Sequence, residues 1–293
     1  MAPVYWRVDA DHRQTTQRPV SPPGGARRAE VPVSELTFAT EIGELRVRGW
    51  CADTMRAAAQ LGQDLAHAGR ARNDWIDFEG GPVRLKARPS GRRGRWARSL
   101  RRRPTPAGAP AIQEYINLSW LIERHFQTVL PLAAGVFLRN HLPHFQYLLT
   151  RREPDTSPLR EALHRATDGE QHLLRDELAR ELGRMHALGF RHGNLHADSL
   201  LALPPAPRMG RRLVFLNALK ARSRGPLEAD LAQVLESGHF DEDGGRELLA
   251  EYSVQRRVQG RPIDVDALHA RVQHARERLK QGSKHGPRSL WHD

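Results

Sequence analysis

The sequence has little that could cross-link it or anchor it in a membrane. Cys51 is the only cysteine among 293 residues, which excludes an internal disulfide and a metal cluster held by several thiolates. Aromatic residues make up only 6% of the chain, and the longest apolar stretch, residues 129–138, is interrupted by Pro131 and Gly135. A bilayer span needs about 20 apolar residues, so no transmembrane segment is expected. The amino terminus has no basic leader followed by an apolar run, so we expect no signal peptide and a reducing, cytoplasmic location.

Acidic residues are few relative to basic ones. The chain has 34 Asp and Glu against 46 Lys and Arg, a formal net charge of +12, and only a handful of the basic residues are lysines. This balance favours anionic partners, which include nucleic acid, a phosphorylated glycolipid and the charged inner face of a membrane. A GC-rich genome also produces abundant arginine, so local clusters of charge are more informative than the total.

Hydrophobic periodicity predicts an α+β chain of two lobes. Residues 1–33 are rich in Pro, Gly and Arg and are expected to form a disordered tail. The predicted N-terminal lobe, residues 34–150, has a hairpin that turns at Gly80-Gly81, strands at 35–50, 74–78, 83–86, 129–138 and 144–150, and helices at 53–66 and 111–126. The predicted C-terminal lobe, residues 151–293, is mainly helical, with helices at 170–188, 227–237, 243–256 and 264–280.

Three short segments of the C-terminal half fit one template. Met185–Leu201 contains His-Gly-Asn-Leu-His at 192–196, Arg212–Arg222 contains an apolar strand that ends at Asn217, and Glu228–Leu235 contains Ala-Asp-Leu. These segments resemble the catalytic loop (His-Gly-Asp-Leu-His-x-x-Asn), the metal-binding strand end and the following helix of the lipopolysaccharide core kinases, the Kdo and heptose kinases. The resemblance implies a protein-kinase-like fold that uses ATP and Mg²⁺ to phosphorylate a core sugar.

The same resemblance assigns nucleotide-binding roles to residues of the N-terminal half. It implies that Lys86 binds phosphates, that Glu114 is its partner, and that Gly69 is a remnant of the glycine-rich phosphate loop. The backbone of a hinge would meet the adenine, and the hinge residues are Thr150, Arg151 and Arg152.

Two residues around the catalytic-like loop, residues 191–199, are expected to have structural roles. Asp230 would accept hydrogen bonds from the loop backbone, as the resemblance implies. His192 and His196 have the spacing of zinc ligands, but they lie in a predicted loop with no third ligand nearby. We therefore interpret His192 as a structural histidine that supports the loop.

The departures from the family pattern predict a pseudokinase or a weakly active kinase. The catalytic base position holds Asn194, whose amide cannot take a proton from an acceptor hydroxyl. The two metal-ligand positions hold Asn217 and Ser199, although Mg²⁺ prefers carboxylates. Asp198 could offer a displaced carboxylate to a metal, but a solvent-facing or capping role suits it better.

A basic insert at residues 88–103 is a second candidate site. It carries Trp96 together with a cluster of arginines expected to bind an anionic surface: Arg92, Arg93, Arg95, Arg98, Arg101, Arg102 and Arg103. Such clusters gain about 1 kcal/mol per charge near an anionic membrane. A flexible solvated loop is the plain alternative, and nucleic acid ranks below lipid because no aromatic residues have base-stacking spacing. The alternative function is therefore a non-catalytic scaffold that binds an anionic glycolipid, the inner-membrane surface or another polyanion through this insert.

Overall fold

The computed structural model describes residues 34–41, 43–90, 109–151, 155–204, 213–221, 226–238 and 240–282. Packing divides the chain into two units. One consists of the residues up to Ile112 together with Leu132–Leu149, and the other of Gln113–Pro131 together with the residues from Thr150 onward. The first is built on a β-sheet and the second is mainly helical, which confirms the predicted α+β class.

The first unit is a six-stranded sheet with one helix on it. The strands in chain order are β1 (Ser34–Thr40), β2 (Gly43–Gly49), β3 (Arg72–Phe78), β4 (Gly81–Pro89), β5 (Pro131–Arg139) and β6 (Leu142–Arg151). Their order across the sheet is β1-β2-β5-β6-β4-β3. Helix α1 (Ala52–Ala68) packs against β1 and β2, and its buried residues, from Met55 to Leu65, recur at helical spacing as the sequence predicts.

Tyr147 on β6 packs between this helix and the sheet. Its ring lies between two glycines, Gly62 of α1 and Gly135 of β5, where an added Cβ would come within 2.4 and 2.2 Å of its Cε1 atom. Its hydroxyl donates a hydrogen bond of 2.7 Å to the carbonyl of Ala58. Burial raises the pKa of Tyr147 above its ordinary value, so the hydroxyl stays protonated and remains a donor.

The turn of the β3–β4 hairpin lies one residue earlier than predicted. Phe78 pairs with Gly81, so the two turn residues are Glu79 and Gly80, not Gly80 and Gly81. Both have positive φ, 51° and 78°, which is the combination that a two-residue hairpin turn with the twist of its strands requires. The left-handed Glu79 has a tertiary contact, because its carboxylate accepts a 3.0 Å hydrogen bond from the hydroxyl of Thr54 at the start of α1.

The second unit is a set of helices with a small three-stranded sheet. Its helices are α2 (Pro110–Glu123, of which the first residues belong to the first unit), α3 (Leu159–Arg165), α4 (Asp168–Ala187), α5 (Glu228–Ser237), α6 (Glu242–Val258) and α7 (Val265–Gly282). The strands β7 (Ser157–Pro158), β8 (Leu200–Ala202) and β9 (Leu213–Phe215) form the sheet. Helix α4 packs on α6 and α5 on α7 around one apolar core. None of the helices in the described ranges has the length and apolar composition needed to cross a membrane.

Helix α2 packs mainly with the second unit. The sequence prediction placed residues 111–126 in the N-terminal lobe, whereas the helix joins the second unit from Gln113 onward. The reason is its apolar face, because Leu118 and Leu121 are fully buried in the core of the second unit. Asn117 adds a polar contact there, donating a 2.6 Å hydrogen bond to the carbonyl of Ala218.

We predict that Gly135→Ala lowers the free energy of unfolding by about 1–3 kcal/mol, because the new methyl group would overlap the ring of Tyr147 and force it to move. Gly81→Ala is the matched control, since a Cβ at that position meets no atom within 4 Å, and we expect a change of less than about 0.5 kcal/mol. Urea unfolding of both variants measures the difference, and equal stability would contradict the packing described for Tyr147.

Candidate functional site

One face of helix α5 holds the 191–199 loop through its backbone. Three polar side chains, Asp230, Gln233 and Ser237, follow one another at spacings of three and four residues and therefore point to the same side of the helix. Gln233 Oε1 accepts from the amide of Leu195 and Ser237 Oγ from the amide of Ala197, each at 2.8 Å. Because each bond involves a main-chain amide, the loop conformation is held whatever side chains the loop carries.

Asp230 is the most heavily engaged member of this row. Its carboxylate is buried, and its two oxygens accept the amides of His192 and Gly193, both at 2.7 Å. Oδ2 also lies 3.2 Å from Nε2 of His186, whose Nδ1 lies 2.9 Å from the hydroxyl of Tyr252. Burial by itself would raise the pKa of Asp230, but the hydrogen bond from His186 and the amide donors hold that pKa below its ordinary value. Asp230 therefore stays ionised, and the tautomer of His186 with its proton on Nε2 fits all of these contacts.

His192 links the loop to the strand end that follows β9. It is fully buried, and its Nε2 lies 2.8 Å from the carbonyl oxygen of Leu216, so this nitrogen carries the proton and donates it. Burial lowers the pKa of His192 below its ordinary value, which keeps the ring neutral. The amide of Leu216 in turn donates to the carbonyl of Ser199 at 2.9 Å, so the two segments are joined by bonds in both directions.

The positions of the base and of one metal ligand lie inside this framework. Asn194 is buried, with 3% of its surface exposed. The hydroxyl of Ser199 is engaged within the loop, because it lies 2.7 Å from the carbonyl of His196 and accepts the amide of His196 at 2.9 Å. Ser199 thus closes the loop on itself, and its oxygen has little capacity left for a cation.

The residues at the predicted metal positions do not fit Mg²⁺. Asn217 follows β9 in the left-handed conformation, with φ 55° and ψ 41°, which Asn tolerates better than most residues. Asp198 is an exposed residue whose carboxylate forms an ion pair with Arg160 of α3. Within the described ranges no three His, Cys, Asp or Glu side chains are grouped closely enough to hold a metal ion. Mg²⁺ binds through one or two carboxylates together with substrate phosphates, and the base and metal positions offer neutral side chains instead.

The residues predicted to bind the nucleotide lie on several elements. Lys86 is on β4 and Glu114 is on α2, and both are buried, with 4% and 2% of their surfaces exposed. Gly69 caps the C-terminus of α1 with φ 63°, and its amide donates to the carbonyl of Leu65. Thr150 is buried at the end of β6, and the amide of the next residue, Arg151, donates to the carbonyl of Leu130 at 2.8 Å.

Some predicted residues lie outside the described ranges. These are the hinge residue Arg152, the tail at residues 1–33 and the arginine cluster of the insert: Arg92, Arg93, Arg95, Arg98, Arg101, Arg102 and Arg103.

Several residues that shape the site were not identified from the sequence. Gln233 and Ser237 had a usable signal, because together with Asp230 they form a polar row at helical spacing beside the apolar residues of α5. For Tyr252 and His186 the sequence contained no such signal. They lie 66 residues apart in the sequence, and only the packing of α6 against α4 brings them together.

Architecture and loop framework together define a protein-kinase-like fold, as the sequence predicts. No family model matches the sequence, and no curated protein is significantly similar to it. Among solved structures, the chain is similar to WaaP in complex with acyl carrier protein, with a TM-score of 0.54 and 17% identity over 75% of this chain and 92% of that one. A glucosamine kinase in complex with glucosamine, ADP and inorganic phosphate matches with a TM-score of 0.47 and 14% identity, over 87% of this chain and 91% of that one. At these identities the similarity establishes the fold alone.

We predict that Asp230→Asn lowers the free energy of unfolding by about 3–5 kcal/mol. The amide has one acceptor oxygen for the three donors that now meet the carboxylate, and its NH₂ group would face an N–H group. Asp243→Asn, an exposed substitution in the first turn of α6, is the control with the same change of charge. Denaturant unfolding measures stability, and hydrogen exchange at the His192 and Gly193 amides measures the loop. Unchanged protection of these amides would show that Asp230 does not hold them.

The buried histidines predict a loss of stability in mild acid. The pKa values of His186 and His192 are lowered by burial, so the unfolded chain binds protons below about pH 6.5 that the folded protein does not. Stability should therefore be constant above about pH 7 and fall below pH 6.5 with a slope approaching two protons, about 2.7 kcal/mol per pH unit. Asp230, whose pKa is also lowered, adds a further loss only at pH values near and below those where carboxyls ordinarily titrate.

Proton uptake measured from the pH dependence of urea unfolding tests this prediction. His192→Gln should halve the slope, whereas His67→Gln, at an exposed position of α1, should leave it unchanged. A flat profile between pH 7 and 5 would contradict the assignment of both rings as buried and neutral.

Proposed function

We propose that this protein is a pseudokinase of the lipopolysaccharide core kinase type, a kinase-fold protein that binds nucleotide without Mg²⁺ and transfers phosphoryl groups weakly or not at all. One observation carries the proposal. Four amides of the 191–199 loop are hydrogen-bonded by side chains of α5, yet the base position is Asn194 and the metal positions are Asn217 and Ser199. The framework of the loop is thus present without the charges that phosphoryl transfer uses.

The size of the missing catalytic contributions supports weak or absent phosphoryl transfer. A general base contributes about 10²–10⁴-fold to a rate, and Asn194 cannot supply that contribution. Electrostatic stabilisation of the transferring group is often the largest single effect, and most of it comes from metal held by carboxylates. Asp198 is the remaining carboxylate of the loop, and it forms an ion pair with Arg160. With both contributions removed, positioning of the substrates is what remains.

Nucleotide binding in this proposal rests on Lys86. A lysine is a compact point charge that suits a phosphate, and this one is buried on β4, between β6 and the edge strand β3. Without Mg²⁺, the cation of Lys86 would supply the attraction for the phosphates of the nucleotide. The adenine would be bound by the backbone around Thr150.

The substrate class and location follow from the resemblance to the core kinases. Any residual transfer would be from ATP to a sugar hydroxyl of the lipopolysaccharide core, at the cytoplasmic face of the inner membrane. A second candidate function is non-catalytic binding of a polyanion by the insert at residues 88–103. The density of arginines in that insert favours it.

The test is thermal unfolding of the full chain with millimolar ATP, in EDTA and in Mg²⁺. A ligand at 100 times its dissociation constant stabilises the folded protein by about 2.7 kcal/mol, so binding gives a clear shift. We expect equal shifts in the two buffers for the wild type and none for Lys86→Met, which keeps the length of the side chain and removes its charge. Asn217→Asp should make the shift depend on Mg²⁺, because it restores the carboxylate.

The control for Lys86→Met is Lys280→Met, the same chemical change at an exposed position of α7, which should retain the wild-type shift. A shift in the wild type that requires Mg²⁺ would contradict the pseudokinase and call for a transfer assay on core sugars. No shift in either buffer would reject nucleotide binding and leave the arginine insert as the functional site.

A further inference from the structure

A second cationic site lies in the helical unit, away from the residues assigned to nucleotide. Arg256 on α6 is half-buried, and both its Nε and its Nη1 atoms are buried without a hydrogen-bond partner within the described ranges. The Nε atom of Arg191, at the start of the 191–199 loop, is also buried without a hydrogen-bond partner within the described ranges. Its Nη1 donates to the carbonyls of His186 and Phe190, at 2.9 and 3.1 Å, so its guanidinium is held in a fixed orientation.

Arg191 and Arg256 both lie beside the last turn of α4. At Gly183 an added Cβ would lie 3.4 Å from the carbonyl oxygen of Tyr252 and 3.7 Å from the amide of Arg256, so α6 lies directly against α4 there. Three residues later, His186 binds Arg191 through its carbonyl and contacts the hydroxyl of Tyr252 through its ring. Burial lowers the pKa of Arg191 and the nearby charge of Arg256 acts in the same direction, whereas Tyr252, Asp230 and Glu228 act in the opposite direction.

The nearby carboxylates leave these donors unsatisfied. Asp230 is occupied by His186 and two amides of the loop. Glu228, at the first position of α5, contributes charge to the neighbourhood. In the described part of the chain neither carboxylate forms an ion pair with Arg191 or Arg256. Arginine remains protonated at any physiological pH, so the site holds two like charges with buried and unsatisfied N–H groups.

We propose that Arg191 and Arg256 form a binding site for a phosphate group. Buried donors without acceptors cost free energy, and a phosphate supplies several acceptor oxygens at once. Its negative charge also removes the repulsion between the two guanidinium groups, which a neutral hydrogen-bond acceptor would not do. The site is independent of the proposed nucleotide site, because none of its residues has a role there.

The test is a titration of the full-length protein with inorganic phosphate at constant ionic strength, with chloride as the reference salt. The melting temperature of the wild type should rise with phosphate and then saturate, as expected for binding to the folded state. Arg256→Met should weaken phosphate binding at least tenfold. In chloride the same variant should melt at or above the wild-type temperature, because it replaces an unsatisfied buried charge by an apolar side chain.

Arg257→Met is the matched control, since it removes the same charge from the neighbouring exposed position and should keep the affinity within twofold. Arg256→Lys tests geometry, because it keeps the charge, lacks the Nε and Nη1 donors, and should also bind weakly. Lys86→Met removes the proposed nucleotide site, and the phosphate response that remains in this variant should be lost when Arg256→Met is added, which separates the two sites. A phosphate response that is the same in wild type and in both Arg256 variants, or that Arg257→Met also removes, would overturn the proposal.

The source of the phosphate group is distinguished by a second titration. If a phosphate monoester such as glucose 6-phosphate stabilises the wild type at lower concentration than inorganic phosphate, the ligand is a phosphorylated metabolite. If inorganic phosphate is at least as effective, the free ion is the ligand. Either result supports the site, provided that Arg256→Met weakens it.

Discussion

The helical unit depends on the buried carboxylate of Asp230, which is balanced by hydrogen-bond donors. A buried ion of this kind costs several kcal/mol unless its lone pairs are satisfied, and Asp230 meets that requirement with two loop amides and the imidazole of His186. The same bonds connect three elements that are distant in sequence: α5, the loop and the end of α4. Through Tyr252 the network extends to α6. Removing this one charge would therefore unsettle the core and the loop together.

This arrangement explains how the loop keeps its form with neutral side chains at positions 194 and 199. Gln233 and Ser237 bind the amides of Leu195 and Ala197, and Ser199 closes the loop through its own hydroxyl. None of these contacts uses the side chain of Asn194 or of Asn217. Stability and phosphoryl transfer thus depend on different atoms, and an Asp-to-Asn change at the base or metal position leaves these backbone contacts in place. A protein under selection only for binding can accumulate such changes.

Local patterns were enough to predict β1 to β6, the catalytic-like loop and helices α1, α2 and α4 to α7, but not the short elements β7 and α3. They do not reach features that a tertiary distance decides. The turn at Glu79 and Gly80 depends on the register of Phe78 with Gly81, and a pair of adjacent glycines in the sequence concealed it. Helix α2 joined the other unit because Leu118 and Leu121 pack there. The unsatisfied atoms of Arg256 could not be inferred at all, since its sequence neighbours Arg257 and Arg261 look the same and are exposed.

The neutral side chains at positions 194 and 217 also change how these positions interact with a phosphate. A carboxylate at a phosphate-binding position is favourable only while a divalent cation lies between it and the phosphate, because two anions without that cation repel each other. Replacing both aspartates by asparagine removes that repulsion, and the hydrogen-bonding amides remain available. Neutral side chains at the metal positions and affinity for a metal-free phosphate are therefore compatible, and under the proposed function the cation of Lys86 would supply the attraction. On this argument, the asparagines at 194 and 217 are consistent with the proposed binding of nucleotide without transfer.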